Sequence, residues 1–380
     1  MSAIVFLSCH LSGTGHLVRT LALARAARKR GHDVTVISGG RPLEHVDVSG
    51  LDIVQLPPLT VRDLDFSTLR KADGREADAD YMEGRKTVLK NAVRALRPDA
   101  LVTELFPLGR RALAAEFLLA IETAHASGSG QPVRVVCSVR DAPEPKPHRI
   151  AETASVLARS YDAVLVHGDA DFLPLSETWP LKGPGLPPVR HTGYVVGPMP
   201  LALAHNPGVL VSAGGGTLGQ RLLEVAADAS RLSSRPWHLL VGGPDAGARA
   251  QALLASHGHD NLTVEPVRRD YRALMASADC SISLCGYNTA VELAQCQTPA
   301  VLVPSEEGGE HEQLIRARRL ATYPGISLLR DAMLDPAILA ETADQAAAAP
   351  RRAPIPLQCD DGDAAIARIE ELLTPQHAPQ

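Results

Sequence analysis

The chain has 380 residues, a formal net charge of −5, 45% apolar residues and only 3% aromatic residues. The length predicts two domains of ordinary size, and the apolar content is enough for two hydrophobic cores. The charge balance indicates no nucleic-acid partner, no apolar run reaches the roughly 20 residues of a membrane-spanning helix, and the N-terminus lacks the basic segment of a secretory signal.

The six cysteines form no Cys-x-x-Cys pair, and most lie in apolar segments, where buried free thiols are the common case. They are Cys9, Cys137, Cys280, Cys285, Cys296 and Cys359. This pattern predicts a reduced, cytoplasmic protein without a thiolate zinc site.

The first half of the chain alternates short apolar runs with helical repeats. Residues 3–8 ("AIVFLS") predict a buried parallel strand, and a helix follows with Leu17, Leu21 and Ala24 on one face and Gly31 at its end. Further strands are predicted at "DVTVIS", "LDIVQLP", "DALVTEL", "VRVVCSV" and "DAVLVHG", and further helices at "RKTVLKNAVRAL" and "LGRRALAAEFLLAIETAHA". The alternation predicts a βαβ series.

A Pro- and Gly-rich segment near residues 195–206 interrupts this pattern, which then restarts. The second series of strands is predicted at "GVLVSAGGG", "PWHLLVGG", "NLTVEP", "CSISLCG" and "PAVLVP". We therefore predict an α/β protein of two Rossmann-like, doubly wound domains. They comprise residues 1–200 and 201–360, followed by a helix at 361–373 that packs back on the first domain and a disordered tail at 374–380.

Ligands of doubly wound folds bind outside the carboxyl ends of the strands, so the loop after the first strand is informative. It holds Gly13, Gly15 and His16 but no Lys-Ser/Thr pair, which excludes a Walker A loop. Val18 stands at the third glycine position of the dinucleotide pattern, and no acid ends the second strand. His16 is thus expected at a helix N-terminus, where a neutral imidazole could accept a proton. The alternatives are that it caps the helix or packs between domains.

Three loops of the second half carry ligand-binding signals. Gly214, Gly215 and Gly216 lie between a strand and a helix and offer backbone N–H groups to an anion, or form a tight turn. Gly286 follows a later strand, Thr289 is predicted at the helix start, and Glu292 is placed for a capping box or for a pair of ligand hydroxyls. The third loop displays Glu310, His311, Glu312 and Gln313, which suit hydroxyl binding or an acidic first helical turn. Phosphate-, diol- and polyol-binding signals in this order suggest a nucleotide-sugar.

Several segments resemble the GT-B glycosyltransferases of the family typified by the bacterial lipid-intermediate N-acetylglucosaminyl transferase. The chain is similar to these family 28-like enzymes over nearly its whole length, and to a branch of predicted glycosyltransferases among them. The segments are "SGTGHLVRTLALARAARKRGHDV", "PDALVTELFPLGRRAL", "CSVRDAP", "VLVHGDADFLPL", "HTGYV", "VSAGGG", "GYNTAVELA" and "EEGGEHEQLIRARRLA". The resemblance implies a GT-B fold whose two domains face each other across a cleft.

The resemblance also implies roles for residues that match the motifs. The donor-side residues are Gly214, Gly215 and Gly216 at the diphosphate, Val267 and Arg268 near the base, Glu292 at the ribose hydroxyls, Glu312 and Gln313 at the sugar, with Gly286, Asn288 and Thr289 in the same loop. Gly13, Gly15 and Arg140 belong to the acceptor side. The loop departs from the family in having Gly15 alone before His16, and the lipid-acceptor residues have no clear match.

The implied reaction transfers a sugar with inversion from a nucleotide diphosphate sugar, UDP-linked as in UDP-N-acetylglucosamine, to an unidentified hydroxyl. The leaving charge would be met by the glycine-loop amides and Arg268, with no metal and no cofactor. His16, Asp141 and Glu104 each follow an N-domain strand and are the three candidate bases. The alternative for both carboxylates is a structural pairing with Arg110, Arg111 or Arg140.

Two Asp-x-Asp triplets, at 78–80 and 169–171, could suggest a metal-bound diphosphate, but neither lies in a donor loop. Asp169 is instead interpreted as a loop former. The long charged segment 62–86 is typical of a lid or binding loop on the acceptor side.

The predicted helix after this segment has a basic face formed by Lys86, Lys90, Arg94 and Arg97, opposite Val88, Ala92, Ala95 and Leu96. Such a face suits a solvated helix or a peripheral contact with anionic lipid at the inner membrane surface. The acceptor is accordingly expected to be a small molecule or a lipid-linked one. Two other functions remain open, namely a nucleotide-sugar hydrolase in which His16 activates water and a non-catalytic nucleotide-sugar-binding protein.

Overall fold

The computed structural model describes residues 1–11, 13–42, 46–62, 66, 68–128, 131–143, 148–200, 207–213, 219–243, 245–306 and 311–374. The chain divides into two compact units, Met1–Val196 with Gln358–Gln380, and Gly197–Leu357. The first division lies inside the Pro- and Gly-rich segment of the sequence, and the chain returns to the first unit at Gln358. Most of the predicted tail, residues 375–380, lies outside the described residues.

The first unit is built on a parallel sheet of seven strands, in the order β3-β2-β1-β4-β5-β6-β7. In chain order its elements are β1 (Ala3–Ser8), α1 (Gly15–Lys29), β2 (Asp33–Gly40), β3 (Asp52–Leu59), α2 (Ala79–Leu96), β4 (Ala100–Glu104), α3 (Ala114–Ser127), β5 (Arg134–Arg140), α4 (Arg149–Ser160), β6 (Ala163–His167), α5 (Leu175–Thr178), β7 (Val189–His191) and β8 (Tyr194–Val195).

The second unit repeats this plan with six parallel strands, in the order β11-β10-β9-β12-β13-β14. Its elements are β9 (Val209–Ser212), α6 (Gln220–Ala229), β10 (Trp237–Val241), α7 (Ala246–His257), β11 (Leu262–Pro266), α8 (Tyr271–Ser277), β12 (Cys280–Ser283), α9 (Tyr287–Gln295), β13 (Ala300–Leu302), α10 (Glu312–Leu320), β14 (Ile326–Leu328) and α11 (Pro336–Ala348). Both units therefore have the doubly wound strand order of Rossmann-like folds.

The chain ends in β15 (Cys359–Asp360), which pairs with β8, and in α12 (Asp363–Leu373). Helix α12 belongs to the first unit, where Ile366 and Ile369 join the cluster that contains Leu23 of α1. Its bounds match the predicted apolar helix. The short strands β7, β8, β14 and β15 did not stand out in the sequence because each has only two or three residues.

Strand β1 shows why these sheets are covered on both faces. Ile4 and Phe6 pack with Leu23 in one cluster, whereas Val5 and Leu7 belong to a second cluster on the opposite face. Because successive side chains of a strand point to opposite faces, an unbroken apolar run requires helices on both sides. The β1–β2 and β1–β4 pairings are both parallel, as the run predicts.

Helix α2 differs most from its prediction. It begins at Ala79 rather than near Arg85, because the side chain of Asp78 accepts the amide N–H of Tyr81 at 2.9 Å. Its buried residues are Arg85, Leu89 and Val93, so the predicted apolar face at Val88 is wrong. The misplacement has a physical cause, since the charged Arg85 occupies a buried position where its guanidinium meets the carboxylate of Glu116 at 2.8 Å.

Both sheets have a switch point, where the connections that leave two adjacent strands run to opposite faces of the sheet. In the first unit it lies between β1 and β4, and in the second unit between β9 and β12. The loops leaving such strands diverge and open a crevice at their carboxyl ends. In the first unit, residues that follow β1 and β4 come together at this crevice. In the second unit, residues that follow β9 and β12 do so. Among the described helices, none is long and apolar enough to cross a bilayer.

Candidate functional site

His16 and Glu104 meet at the switch point of the first sheet. Gly13, at φ +64°, makes the left-handed turn after β1, and α1 then begins at Gly15 with Thr14 as its N-cap. His16 is therefore the second helical residue, and the interpretation of its side chain as the cap is wrong. Its Nδ1 lies 2.9 Å from Oε1 of Glu104, the last residue of β4.

Arg19, one helical turn after His16, completes this cluster. Its Nη2 donates to Oε1 of Glu104 and lies 3.2 Å from Nδ1 of His16. Burial opposes ionisation of Glu104, but Arg19 and the hydrogen bond from His16 outweigh it, and the pKa of Glu104 falls below its usual range. Burial, followed by the positive charge of Arg110, brings the pKa of His16 well below its ordinary value. At neutral pH the pair is a carboxylate and a neutral imidazole.

These protonation states select one tautomer of His16. An ionised carboxylate can only accept, so the 2.9 Å contact with Glu104 requires a proton on Nδ1 of His16. A guanidinium can only donate, so Arg19 bonds to Glu104 rather than to the protonated Nδ1. The lone pair of His16 is therefore on Nε2, and the side chain retains 12% of its exposure. This nitrogen is the proton acceptor of the cluster.

The other two candidate bases are more enclosed. Glu104 is only 3% exposed and accepts from Arg19, His16 and the hydroxyl of Ser138. Asp141 is fully buried, and its carboxylate accepts the hydroxyl of Tyr194 at 2.8 Å and the amide of Ala142 at 2.9 Å. Both carboxylates thus face hydrogen-bond donors of the protein.

The structure corrects the predicted arginine pairings. The ion-pair partner of Glu104 is Arg19, not Arg110 or Arg111. Arg111 instead pairs with Glu152, and Arg110 donates to the backbone oxygen of Cys9 at 2.7 Å. Arg140, predicted on the acceptor side, is the last residue of β5 and lies at the same carboxyl edge of the sheet as Glu104.

Glu292 lies on α9, the helix that follows the switch-point strand β12 of the second unit. Helix α9 begins at Tyr287 with Gly286 as its N-cap, so Glu292 lies in the second turn and the capping-box interpretation is wrong. Its carboxylate is 3.7 Å from Nε of Arg272. Burial raises the pKa of Glu292 to about 7, although the charge of Arg272 acts in the opposite direction.

The loop that carries Gly286 has open space beside that residue. A Cβ atom on Gly286 would have no neighbour within 4 Å, and Asn288 and Thr289 in the first turn of α9 are half-buried. Gln313 supports this loop, because its Oε1 accepts the amides of Cys285 and Ser305, both at 3.1 Å. The Nε2 group of Gln313 has no partner in the described part of the chain and can donate to a ligand.

The remaining predicted donor-side residues lie at the carboxyl edge of the second sheet or outside the described residues. Glu312, the first residue of α10, is buried, whereas Val267 and Arg268 follow β11 and are exposed. Arg268 is held by Asp270 through two hydrogen bonds of 2.8 and 2.6 Å, so its charge is largely balanced. Gly214, Gly215, Gly216 and Glu310 lie outside the described residues.

A shallow, open cavity of about 20 Å³ lies at this edge of the second sheet. It is lined by residues of the loops that follow β9, β12 and β13, among them Gly219, Leu284 and Ser305. The cavity therefore lies at the carboxyl ends of the strands, where the doubly wound fold predicts a ligand.

The Asp-x-Asp triplets have structural contacts. Asp78 caps α2, and Asp169 accepts the amides of Asp171 and Gln358, both at 2.9 Å. Asp169 is thus a loop former, as the sequence predicted. In the described ranges, no group of three or more His, Cys, Asp or Glu side chains could hold a metal ion.

Three residues of these sites were not predicted from the sequence, namely Arg19, Ser138 and Arg272. Arg19 carried a usable signal, because it lies three residues after His16 and so on the same face of the helix. Ser138 precedes Arg140 at the end of a predicted strand, and Arg272 directly follows the loop after "LTVEP". Neither has a local pattern that separates it from ordinary strand or helix residues.

Part of the second unit matches a known family of proteins. Residues 210–357 match the family model described as the glycosyltransferase family 28 C-terminal domain. A segment of 89 residues is 36% identical to "UDP-N-acetylglucosamine--N-acetylmuramyl-(pentapeptide) pyrophosphoryl-undecaprenol N-acetylglucosamine transferase" of Brucella anthropi, and equally to that of Brucella canis. The match covers 23% of this chain and 24% of those relatives.

Several solved structures are similar to this chain over nearly its whole length, although their sequence identity to it is low. MurG of Acinetobacter baumannii has a TM-score of 0.60 at 18% identity, over 97% of this chain and 99% of its own. The calicheamicin glycosyltransferase CalG4 has a TM-score of 0.60 at 17% identity, with complete coverage of both chains. The spinosyn forosaminyltransferase SpnP has a TM-score of 0.62 at 14% identity, over 98% of this chain and 99% of its own.

These matches confirm the predicted resemblance to family 28 and the predicted fold class. The chain has the fold of the GT-B glycosyltransferases, and its residues 210–357 match the C-terminal domain of glycosyltransferase family 28.

Proposed function

We propose that this protein is an inverting, metal-independent glycosyltransferase that moves a sugar from a nucleotide diphosphate sugar to an acceptor hydroxyl. The single observation that carries the proposal is the contact of Nδ1 of His16 with ionised Glu104, which leaves Nε2 as a proton acceptor. The match of the second unit to a family 28 C-terminal domain supports a nucleotide-sugar as the donor.

In the proposed reaction Nε2 of His16 takes the proton of the acceptor hydroxyl. The oxygen attacks the anomeric carbon, and the bond from this carbon to the diphosphate breaks on the opposite side, so that the configuration inverts. His16 becomes an imidazolium, which the adjacent carboxylate of Glu104 stabilises. Glu104 is thus assigned to orientation and charge balance, and Asp141 to support of the loop after β5.

On the donor side we assign the ribose hydroxyls to Glu292 and the sugar hydroxyls to Glu312 and Gln313. The spare Nε2 group of Gln313 supports this assignment. The diphosphate is assigned to the backbone N–H groups of residues 214–216, because a Gly-rich strand-to-helix turn suits an anion. Arg268 is a weaker candidate, since Asp270 already balances its charge.

The identity of the donor and acceptor is proposed from the relatives. The curated proteins are named for UDP-N-acetylglucosamine as donor and for an undecaprenol-linked acceptor. We propose a UDP-linked donor and a small-molecule or lipid-linked acceptor hydroxyl, with the enzyme in the cytoplasm and in peripheral contact with the membrane. The exposed residues Lys90, Arg94 and Arg97 on and after α2 support such a contact.

The test is a panel of nucleotide-sugars incubated with the protein, first for binding by calorimetry and then for turnover with candidate acceptors by mass spectrometry. The proposal expects one donor class to bind, transfer to a hydroxyl acceptor with inverted configuration, and no loss of rate when a chelator is added. Release of free sugar at the same rate without acceptor would instead identify a hydrolase. Tight binding without turnover on any acceptor would identify a nucleotide-sugar-binding protein.

A further inference from the structure

Behind Glu104 lies a second set of polar side chains that the reaction scheme does not use. Ser138 of β5, His167 of β6 and Thr192 after β7 have exposed fractions of 1%, 0% and 5%. They lie at the carboxyl ends of three adjacent strands of the first sheet, at the same edge as Glu104. A buried row of polar groups is costly unless each hydrogen bond is made, so the direction of each bond can be derived.

Glu104 sets the direction of the first hydrogen bond in the row. Its Oε2 lies 2.8 Å from Oγ of Ser138, and because the carboxylate can only accept, the hydroxyl proton of Ser138 must point to it. A serine hydroxyl has one proton, so Oγ of Ser138 can only accept from Nε2 of His167, at 2.9 Å. His167 therefore has its proton on Nε2.

The other ring nitrogen of His167 extends the row. Burial, followed by the charge of Arg19, lowers the pKa of His167, and the neutral ring with its proton on Nε2 has a lone pair on Nδ1. That atom lies 2.9 Å from Oγ1 of Thr192, which must donate to it. The competing acceptor of Thr192, the backbone oxygen of Val166, is farther away at 3.4 Å.

We propose that Thr192, His167 and Ser138 are positioning residues that act through Glu104 to hold the proton of His16 on Nδ1. Every donor in the row points the same way, from Thr192 through His167 and Ser138 to Glu104, and Nδ1 of His16 meets the carboxylate from the other side. The row limits the carboxylate to one orientation and so keeps the lone pair of His16 on Nε2. The inference rests on the proposed function of His16 as the base.

The reversed row is chemically unfavourable. A His167 with its proton on Nδ1 would accept the proton of Ser138 at Nε2. The lone pair of Ser138 would then face the negative charge of Glu104 at 2.8 Å. That arrangement replaces a charge-assisted hydrogen bond with a repulsion inside the protein, where such contacts are poorly screened.

The first experiment does not depend on activity. In protein labelled with ¹⁵N-histidine, long-range proton–nitrogen NMR correlations distinguish the two neutral tautomers. We expect His16 to be protonated at Nδ1 and His167 at Nε2. The opposite tautomer at either ring would overturn the inference, whatever the enzyme is found to transfer.

The second experiment removes the middle of the row. In Ser138→Ala the carboxylate of Glu104 loses a donor, its charge acts more strongly on His16, and the pKa of His16 rises in the NMR titration. The other charged groups that face His16, namely Arg19 on its own helix and Arg110 after β4, are unchanged in this variant. An unchanged titration of His16 in the folded variant would contradict the inference.

The matched control is Ser8→Ala. Ser8 ends β1, is fully buried, and its hydroxyl has no hydrogen-bond partner among the described residues. This variant should leave the titration of His16 unchanged. If Ser8→Ala shifts it as Ser138→Ala does, the shift reports general loosening of the sheet edge and the inference fails.

Activity supplies a third readout once a donor and acceptor are known. Ser138→Ala should lower kcat about 10-fold or more, the size expected for the loss of a hydrogen bond to a charged group, with KM for the donor unchanged. The acidic limb of the pH profile should move to higher pH together with the pKa of His16. His167→Gln and Thr192→Ser keep a donor at the required place and should retain more activity than His167→Leu and Thr192→Val. Equal losses within each pair would show that only packing matters.

Discussion

Glu104 and Glu292 occupy comparable places in the two units, yet their ionisation differs. Glu104 is buried and Glu292 is half-buried, and each has an arginine near it. The pKa of Glu104 is held below its usual range, whereas the pKa of Glu292 is raised to about 7. Burial raises the pKa of both, so the difference comes from the hydrogen-bond donors around each carboxylate.

Glu104 has donors in direct contact, from Arg19, His16 and Ser138. The arginine beside Glu292 is engaged elsewhere, because Nη2 of Arg272 donates to the backbone oxygen of Gly197 at 3.0 Å and to Gln295 at 2.7 Å. The first unit therefore completes its polar site with its own side chains. In the second unit, the carboxylate of Glu292 has no hydrogen-bond donor among the described residues and so keeps its acceptor capacity.

The largest effect is expected from His16→Ala. Because a general base contributes about 10²–10⁴ in rate, the variant should lose at least 100-fold in kcat. Donor affinity should change little, since the proposed donor residues belong to the other unit. Steady-state kinetics and donor calorimetry measure both quantities.

The matched control for this variant is His32→Ala, which also breaks a histidine–glutamate pair, with Nε2 of His32 lying 2.9 Å from Glu370. His32 precedes β2, at the opposite edge of the sheet, so its loss should leave kcat unchanged. A His16→Ala enzyme with normal kcat would remove His16 from the reaction.

Glu104→Gln should destabilise the protein by about 3–5 kcal/mol at pH 7, because it removes the negative charge that pairs with the buried guanidinium of Arg19. The pKa of Glu104 is lowered by folding, so the carboxylate stabilises the protein above its ordinary pKa near 4.5 and this contribution is lost as the pH falls through the folded value. The difference between wild type and variant in urea unfolding should therefore shrink in acid.

Glu116→Gln is the control for this change. Glu116 forms a buried pair with Arg85 at 2.8 Å in the same unit, so its loss should cost similar stability without altering the tautomer of His16. If both variants lose activity equally, the role of Glu104 is structural.

Glu292→Gln should have the opposite effect on stability. The pKa of Glu292 rises on folding from 4.5 to about 7, so its protonated form stabilises the protein below pH 4.5 and about 3 kcal/mol is lost as the pH rises through 7. The variant should therefore be more stable than wild type at pH 8 and nearly equal at pH 5. Glu224→Gln, on an exposed position of α6, should show no such pH dependence.

The smallest expected effect concerns the donor. If Glu292 binds the ribose hydroxyls, Glu292→Gln should weaken nucleotide-sugar binding by about 1–3 kcal/mol, the size of a lost charge-assisted hydrogen bond. Calorimetry at pH 8, where wild-type Glu292 is mostly ionised, measures this. Unchanged affinity there would take Glu292 out of the donor site while leaving the stability prediction intact.

Most of the architecture was predictable from the sequence, because long buried strands and amphipathic helices are encoded locally. "AIVFLS" and "DAAIARIEELL" coincide with β1 and α12, and the alternation of strand and helix signals was enough to predict two doubly wound units. Helix α2 was harder, since the buried position of Arg85 depends on Glu116 and on the backbone oxygen of Gly39, both distant in sequence.

The sequence by itself determined which loops can bind ligands and which residues in them have the right chemistry, since both follow from residue type and from the order of strands. Only the tertiary structure decided how these residues are ionised and paired. Glu104 lies 88 residues from His16, and its state depends on Arg19, His16 and Ser138 meeting it at one sheet edge. A pKa in a protein is set by burial and by neighbouring charges, and neither can be obtained from local sequence before the strand order is known.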